Sequence, residues 1–227
     1  GDRSPVVSGE KVRGVVGLGS MCYGAAVSAM PRGVPVWGLD TTEAARARFT
    51  AAGGHLAASL GDLAARCDVV QLLVVNAAQT ESVLFGEGGL AAALRPGSVV
   101  IASATVDPAL PPQWEAKLAE RGLHLIDGPV SGGAKKAAEG QMTVMASGRP
   151  AAFEAAGAVL DAIAGKVYRL GDQAGIGSTV KMVNQHLAGV HIAAACEAMA
   201  LGMRAGADAA QLYEVICNSA GMSWMFQ

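Results

Sequence analysis

The side chains best placed for chemistry stand together in the run G-I-G-S-T-V-K-M-V-N-Q, residues 175–185. Lys181 is its centre. The alanine-rich stretch that follows, as far as about residue 202, contains no proline and predicts one buried helix. Asn184 and Gln185 come three and four residues later, so at the helical period an amine and two amides share one face. An amine that has lost part of its water is a general base at moderate pH, whereas the same lysine in water is only a solvated first-turn cation.

Upstream, D-G-P-V-S-G-G at 127–133 sets Ser131 ahead of Gly132 and Gly133. Backbone N–H groups freed by consecutive glycines, with a hydroxyl beside them, suit a carboxylate; the same letters also spell an ordinary glycine turn. Nearer the start, V-R-G-V-V-G-L-G-S-M-C is an apolar run ending in glycines. Gly17 permits a tight turn, and Gly19 lets the backbone of Gly17, Leu18, Gly19, Ser20 and Met21 approach a pyrophosphate at a helix start. Asp40, about twenty residues on, is placed to accept hydrogen bonds from ribose hydroxyls. With no arginine at Thr41 or Thr42 to receive a 2′-phosphate, it favours NAD over NADP. Cys22 stands where a third glycine or an alanine belongs, which reads either as wider packing or as a thiol tuned by the helix dipole.

These residues need elements to hold them, and the pattern supplies strand and helix in alternation. Strands are predicted over 12–19, 34–40, 55–58, 68–75, 98–104, 123–127, 142–147 and 166–170. Helices are predicted over 20–30, 42–52, 60–67, 112–121, 150–164 and from 175 onward, with a further helical pattern at 208–219. The run D-V-V-Q-L-L-V-V at 68–75 reads as a strand buried on both faces. Val75 and Asn76 fall at its carboxyl end, with a loop expected from Asn76 and Ala77, and Thr105 falls at the carboxyl end of the next strand. That edge is where open parallel sheets bind ligands. The alternation predicts an α/β fold with a Rossmann-type doubly wound parallel sheet, leaving the direction of the later strands open. Residues 12–172 read as a dinucleotide-binding domain and 173–227 as the start of an all-α substrate and dimerisation domain. Residues 1–11 read as a tag remnant or disordered terminus.

Composition narrows the function classes. Hydrophobic residues at 52% against 16% charged supply a core, and a net charge of −2 without basic runs argues against a nucleic-acid partner. The apolar stretches read as interrupted before membrane-spanning length and the start has no signal-like core, which predicts a soluble, cytoplasmic protein with no membrane partner. Cys22, Cys67, Cys196 and Cys217, with His55, His124, His186 and His191, show no ligand spacing, so neither a metal nor a disulfide framework is expected.

Taken in order, the glycine loop at 17–22, D-G-P-V-S-G-G and the Lys181 segment resemble the beta-hydroxyacid dehydrogenase family, which includes 3-hydroxyisobutyrate dehydrogenase. The stretches V-V-N-A-A-Q, G-Q-M-T-V-M-A-S-G, L-A-G-V-H-I-A-A-A and S-W-M-F are similar to its L-threonate dehydrogenase branch. The resemblance implies NAD-dependent oxidation of a small hydroxy acid, with Lys181 as general acid/base. It also implies substrate contacts at Ser131, Gly132, Gly133, Asn184 and Gln185. Asn184 departs from the histidine common in threonate-type enzymes, and Ala104 from the usual serine before Thr105. Relatives continue past the S-W segment, so the helical domain is expected to be truncated here. A homodimer or homotetramer is implied for the full-length form. The alternatives kept are a 3-hydroxyisobutyrate-type dehydrogenase, an aldehyde-acid reductase, and a non-catalytic NAD-binding scaffold or inactive fragment.

Overall fold

A computed structural model describes residues 12–19, 23–24 and 35–227. Six parallel strands form the main sheet: β1 (Arg13–Val16), β2 (Val36–Leu39), β3 (His55–Leu56), β4 (Val69–Leu72), β5 (Val99–Ala102) and β6 (His124–Asp127). Their order is β3-β2-β1-β4-β5-β6, so the winding reverses between β1 and β4. In such sheets the crevice at the reversal, outside the carboxyl ends, is the ligand site.

Burial on both faces explains why these strands are nearly all apolar. In β5, Val100 joins Leu63, Val70, Leu72, Leu118 and Leu125 on one side, while Val99 and Ile101 join Val69, Ile126, Val144 and Leu160 on the other. Each such side chain contributes about 1.5–3 kcal/mol on burial. Two of the buried polar residues in these strands answer each other: Arg13, 1% exposed, donates to Gln71 Oε1 at 2.6 Å, and Gln71 Nε2 donates to Ser103 Oγ at 3.1 Å.

Helices α1 (Glu43–Ala51), α2 (Leu60–Arg66), α3 (Ala77–Phe85), α4 (Leu90–Ala93) and α5 (Leu110–Ala119) connect the strands. The expected loop at Asn76 is instead the start of α3: Asn76 is its N-cap and accepts from Gln79 N at 2.9 Å. The strand expected over 68–75 pairs only as far as Leu72. Val75 is 79% exposed beyond it, where the chain has already turned out of the sheet toward that cap.

The later strands form a second sheet of order β7-β8-β9, from β7 (Val130–Ser131), β8 (Thr143–Ala146) and β9 (Lys166–Arg169). β7 runs antiparallel to β8 and β9 parallel to it, which resolves the direction left open. A short helix not anticipated, α6 (Gly133–Ala138), separates β7 from β8. The helix expected over 150–164 is two, α7 (Pro150–Ala156) and α8 (Ala158–Ala162), because Gly157 sits at φ 51°, ψ −137° and breaks the ladder.

The chain divides into compact units Gly1–Lys181 and Met182–Gln227. Helix α9 (Ile176–Arg204) begins in the first and forms, with α10 (Ala209–Cys217), most of the second. The expected single helix is there, but its buried residues are Gly177, Ser178 and Lys181 alone, so it is not a buried helix along its length. By length and composition α9 can also span a membrane, with a mean hydropathy of 1.3, which corrects the expectation that no stretch is long enough. Within the second unit Gly202 leaves room for Leu212 of α10, and Tyr213 stacks on Phe226 with ring centroids 5.4 Å apart.

Candidate active site

Gly17 follows β1 and bonds back to the sheet, its N–H donating to Leu39 O at 2.9 Å. Its φ is +94°, and a Cβ there would lie 2.5 Å from Leu73 O, so both conformation and space demand glycine. Around Gly19 none of the described residues lies within 4 Å of where a Cβ would be. Tyr23 N donates to Gly19 O at 2.8 Å, and Tyr23 and Gly24 are helical. The expected contacts at Ser20 and Met21, the Cys22 question, and most of the helix expected over 20–30 lie outside the described residues.

Asp40 directly follows β2 and faces this loop. Its Oδ2 accepts from Leu18 N at 2.7 Å and its Oδ1 from Thr42 N at 2.7 Å. Partial burial works to raise its pKa, but these hydrogen bonds outweigh that and hold the carboxyl below its ordinary value. Leu18, fully buried, presents no side chain to a ligand, and its N–H is committed to Asp40. Across the reversal point, Val75 and Asn76 follow β4, and Thr105 is exposed shortly after β5. A tight open glycine turn, an adjacent anion and free strand ends fit a dinucleotide. Among the described residues no cluster of three metal-ligating side chains occurs.

The second half of the site is built at the carboxyl ends of β6 and β8. From β6 the chain passes through Gly128 and Pro129 to Ser131 in β7, which pairs with Thr143. Gly132 and Gly133 follow at φ +137° and +70°, a conformation L side chains rarely adopt, and open α6. Gly24 packs directly against this helix: a Cβ on it would lie 2.4 Å from Ala138 N. Gly24 and the end of α6 therefore meet backbone to backbone.

Helix α9 starts on the same strand ends. Gly177 lies so close that a Cβ would fall 2.3 Å from Met145 O and 2.7 Å from Asp127 O. Asp127, 1% exposed, accepts through Oδ2 from Gly175 N at 3.0 Å and Ser178 N at 2.8 Å, and through Oδ1 from the Ser178 hydroxyl at 2.6 Å. Ser147 Oγ accepts from Gly177 N at 2.9 Å and donates to Asp127 Oδ2 at 3.4 Å. Burial pushes the Asp127 carboxyl up from its ordinary value against the pull of these donors. Glu115 Oε2, on α5, accepts from Ala174 N at 3.1 Å. None of Asp127, Ser147, Ser178 or Glu115 was assigned a role from the sequence; the only signal was an Asp opening the D-G-P-V-S-G-G run at a strand end.

Lys181 follows one turn after Ser178 and is 7% exposed, not the solvated cation that its position near a helix start would allow. Burial lowers its pKa from the ordinary lysine value. Asn184 is half-buried and Gln185 exposed, and Asn184 Nδ2 donates to Gln185 Oε1 at a long 3.5 Å.

Residues 13–171 match the family model for the NAD binding domain of 6-phosphogluconate dehydrogenase. Residues 175–227 match that for the NAD-binding domain of NADP-dependent 3-hydroxyisobutyrate dehydrogenase. An L-threonate dehydrogenase of Cupriavidus necator is 56% identical over 214 residues, 94% of this chain and 72% of that protein. The chain belongs to the beta-hydroxyacid dehydrogenase family. Within it, the sequence falls in the L-threonate branch, with a second L-threonate dehydrogenase, from Escherichia coli K12, 50% identical over 94% of this chain and 71% of its own length. A crystal structure of 3-hydroxyisobutyrate dehydrogenase from Salmonella typhimurium superimposes with a TM-score of 0.89 at 50% identity, covering 96% of this chain and 76% of that one. As a beta-hydroxyacid dehydrogenase this is an NAD-dependent oxidoreductase of hydroxy acids.

Proposed function

We propose that the physiological substrate is L-threonate or a related four-carbon sugar acid. Support comes from the names of the relatives at 50–56% identity. In this reading NAD is held by the loop Gly17 to Met21, Asp40, Val75, Asn76 and Thr105, and when bound it supplies the hydride acceptor. Ser131, Gly132 and Gly133 hold the substrate carboxylate through a hydroxyl and backbone N–H groups. Asn184 and Gln185 orient the substrate, and residues 173–227 open the helical substrate domain.

Lys181 takes the proton from the substrate hydroxyl. The observation that carries this role is its burial: a lysine shielded from water gives up its proton at lower pH than a solvated one, which suits it to accept a proton from the substrate hydroxyl. Asp40, held as an anion beside the adenosine end, repels a 2′-phosphate and favours NAD over NADP.

The test is a screen of NADH production with L-threonate, D-erythronate, 3-hydroxyisobutyrate, glycerate and tartronate, with NAD and NADP compared. Preference for L-threonate with NAD is expected. Preference for 3-hydroxyisobutyrate would favour the reading suggested by the name of the Salmonella structure, and preference for NADP would sink the assignment of Asp40. Cofactor binding without turnover of any acid would favour the non-catalytic scaffold.

A further inference from the structure

The first turn of an α-helix leaves four N–H groups without partners inside the helix. In α9 these belong to Gly175, Ile176, Gly177 and Ser178, since Thr179 N already donates to Gly175 O. A helix ordinarily closes this end with the side chain of its own N-cap residue. Here that position is Gly175, at φ +112°, which has no side chain to offer. Closure comes instead from Asp127, 48 residues upstream on the main sheet, with Ser147 from the end of β8 taking the N–H between. A local cap ties a helix to itself. A remote cap ties it to another element.

We propose that Asp127 is a positioning residue of the dehydrogenase reaction: its buried carboxylate fastens the first turn of α9 to the end of β6 and so fixes where Lys181 stands. The inference rests on Lys181 as the proton carrier. Asp127 is also only four residues from Ser131, so one short segment anchors both the helix of the base and the cradle assigned to the substrate carboxylate. A misplacement of about 1 Å between reacting groups costs on the order of a hundredfold in rate, so this segment sets a distance to which the reaction is sensitive. A carboxylate accepts only, and Asp127 meets only donors; Asn would turn an N–H₂ toward one of them. Glu115 serves as the contrast, because it holds Ala174 in the preceding loop but none of the free N–H groups of the helix.

The test is a double-mutant cycle on the active enzyme: Asp127→Asn, Lys181→Ala and the pair, with Glu115→Gln alongside. Turnover is measured with NAD and the acid preferred in the screen. Asp127→Asn should lower kcat by roughly tenfold to a hundredfold, leave cofactor affinity unchanged, and move the acid limb of kcat/KM to higher pH as Lys181 becomes wetter. In the Lys181→Ala background the same change should cost less than about twofold, because what it positions is gone. Equal losses in both backgrounds, or parallel loss of cofactor affinity, would overturn the proposal. Hydrogen exchange at the amides of Gly175, Gly177 and Ser178 reads the fastening without reference to activity. It should accelerate in Asp127→Asn and not in Glu115→Gln, and unchanged protection would overturn the fastening itself. If Lys181→Ala alone keeps full turnover while exchange accelerates, the lysine assignment falls and the fastening stands. Should Asp127→Asn fail to fold, Ser178→Ala, which removes one donor from Oδ1, carries the same cycle and exchange measurement.

Discussion

Lys181, the proposed proton carrier, is held by the fold against its own preference. Its lowered pKa means the folded chain binds fewer protons at this site than the unfolded chain. Folding stability from this group therefore rises with pH, from the depressed folded value up to the ordinary lysine value, and is lowest below the depressed one. Lys181→Met should then raise Tm at neutral pH while lowering turnover by about 10²–10⁴-fold, with the gain shrinking as pH approaches about 10, the ordinary lysine region; thermal melts at several pH values measure it. Asp40, also lowered, shares the direction in pH, but its window is the carboxylate range: its contribution is present above the ordinary value and lost as pH falls. Burial opposes its charge, but the amides of Leu18 and Thr42 keep it ionised to below the usual carboxylate range. Asp40→Ser should raise the NADP-to-NAD ratio of kcat/KM by on the order of tenfold, about 1.4 kcal/mol of discrimination, read by initial rates with both cofactors. It should also cost about 1 kcal/mol of stability for the unpaired Leu18 amide.

At the scale of elements, what was legible in the sequence were the features with a local cause. The strands of the main sheet are short apolar runs bounded by glycine or polar residues, and burial on both faces left their pattern intact. Helix α3 was missed because A-A-Q-T-E-S-V-L-F follows an Asn read as a turn signal, when its side chain was capping. The short strand β7 and helix α6 were hidden in what read as a glycine turn. The remote cap was not legible at all, since nothing near residue 175 signals that its partner lies in β6. Gly177 belongs to that same contact. Gly177→Ala sets a methyl 2.3 Å from Met145 O, backbone that cannot swing aside, and should cost about 2–3 kcal/mol. Denaturant titration measures that loss, and turnover should fall with it as α9 is pushed off the strand ends. Loss of stability below 0.5 kcal/mol, roughly the level of a surface change, would mean the helix start shifts freely.

At the scale of the molecule, the two units differ in kind. The first buries its large side chains, Trp114 at 2% exposure among them. The second buries no residue of α10 and leaves Leu201 at 70%, Val215 at 62% and Trp224 at 63% exposed. Apolar surface of this extent drives association. Sedimentation velocity of the 22.8 kDa chain is expected to show species heavier than one copy, increasing with concentration. Acrylamide should quench Trp224 more than the half-buried Trp37 and spare Trp114, and a Trp224 shielded at high concentration would place it in the associating surface.

The backbone contact between Gly24 and Ala138 bears on any effort to redesign this enzyme. Directed evolution of cofactor preference commonly treats the first glycine loop as a module to be exchanged. Here the segment behind that loop and the one behind Ser131 touch with no side chain between them to absorb a shift. A graft that tilts one will retune the other, so selection for a new nicotinamide cofactor is expected to drag acid selectivity with it. Libraries that vary residues 17–24 and 131–138 together will succeed where either alone stalls.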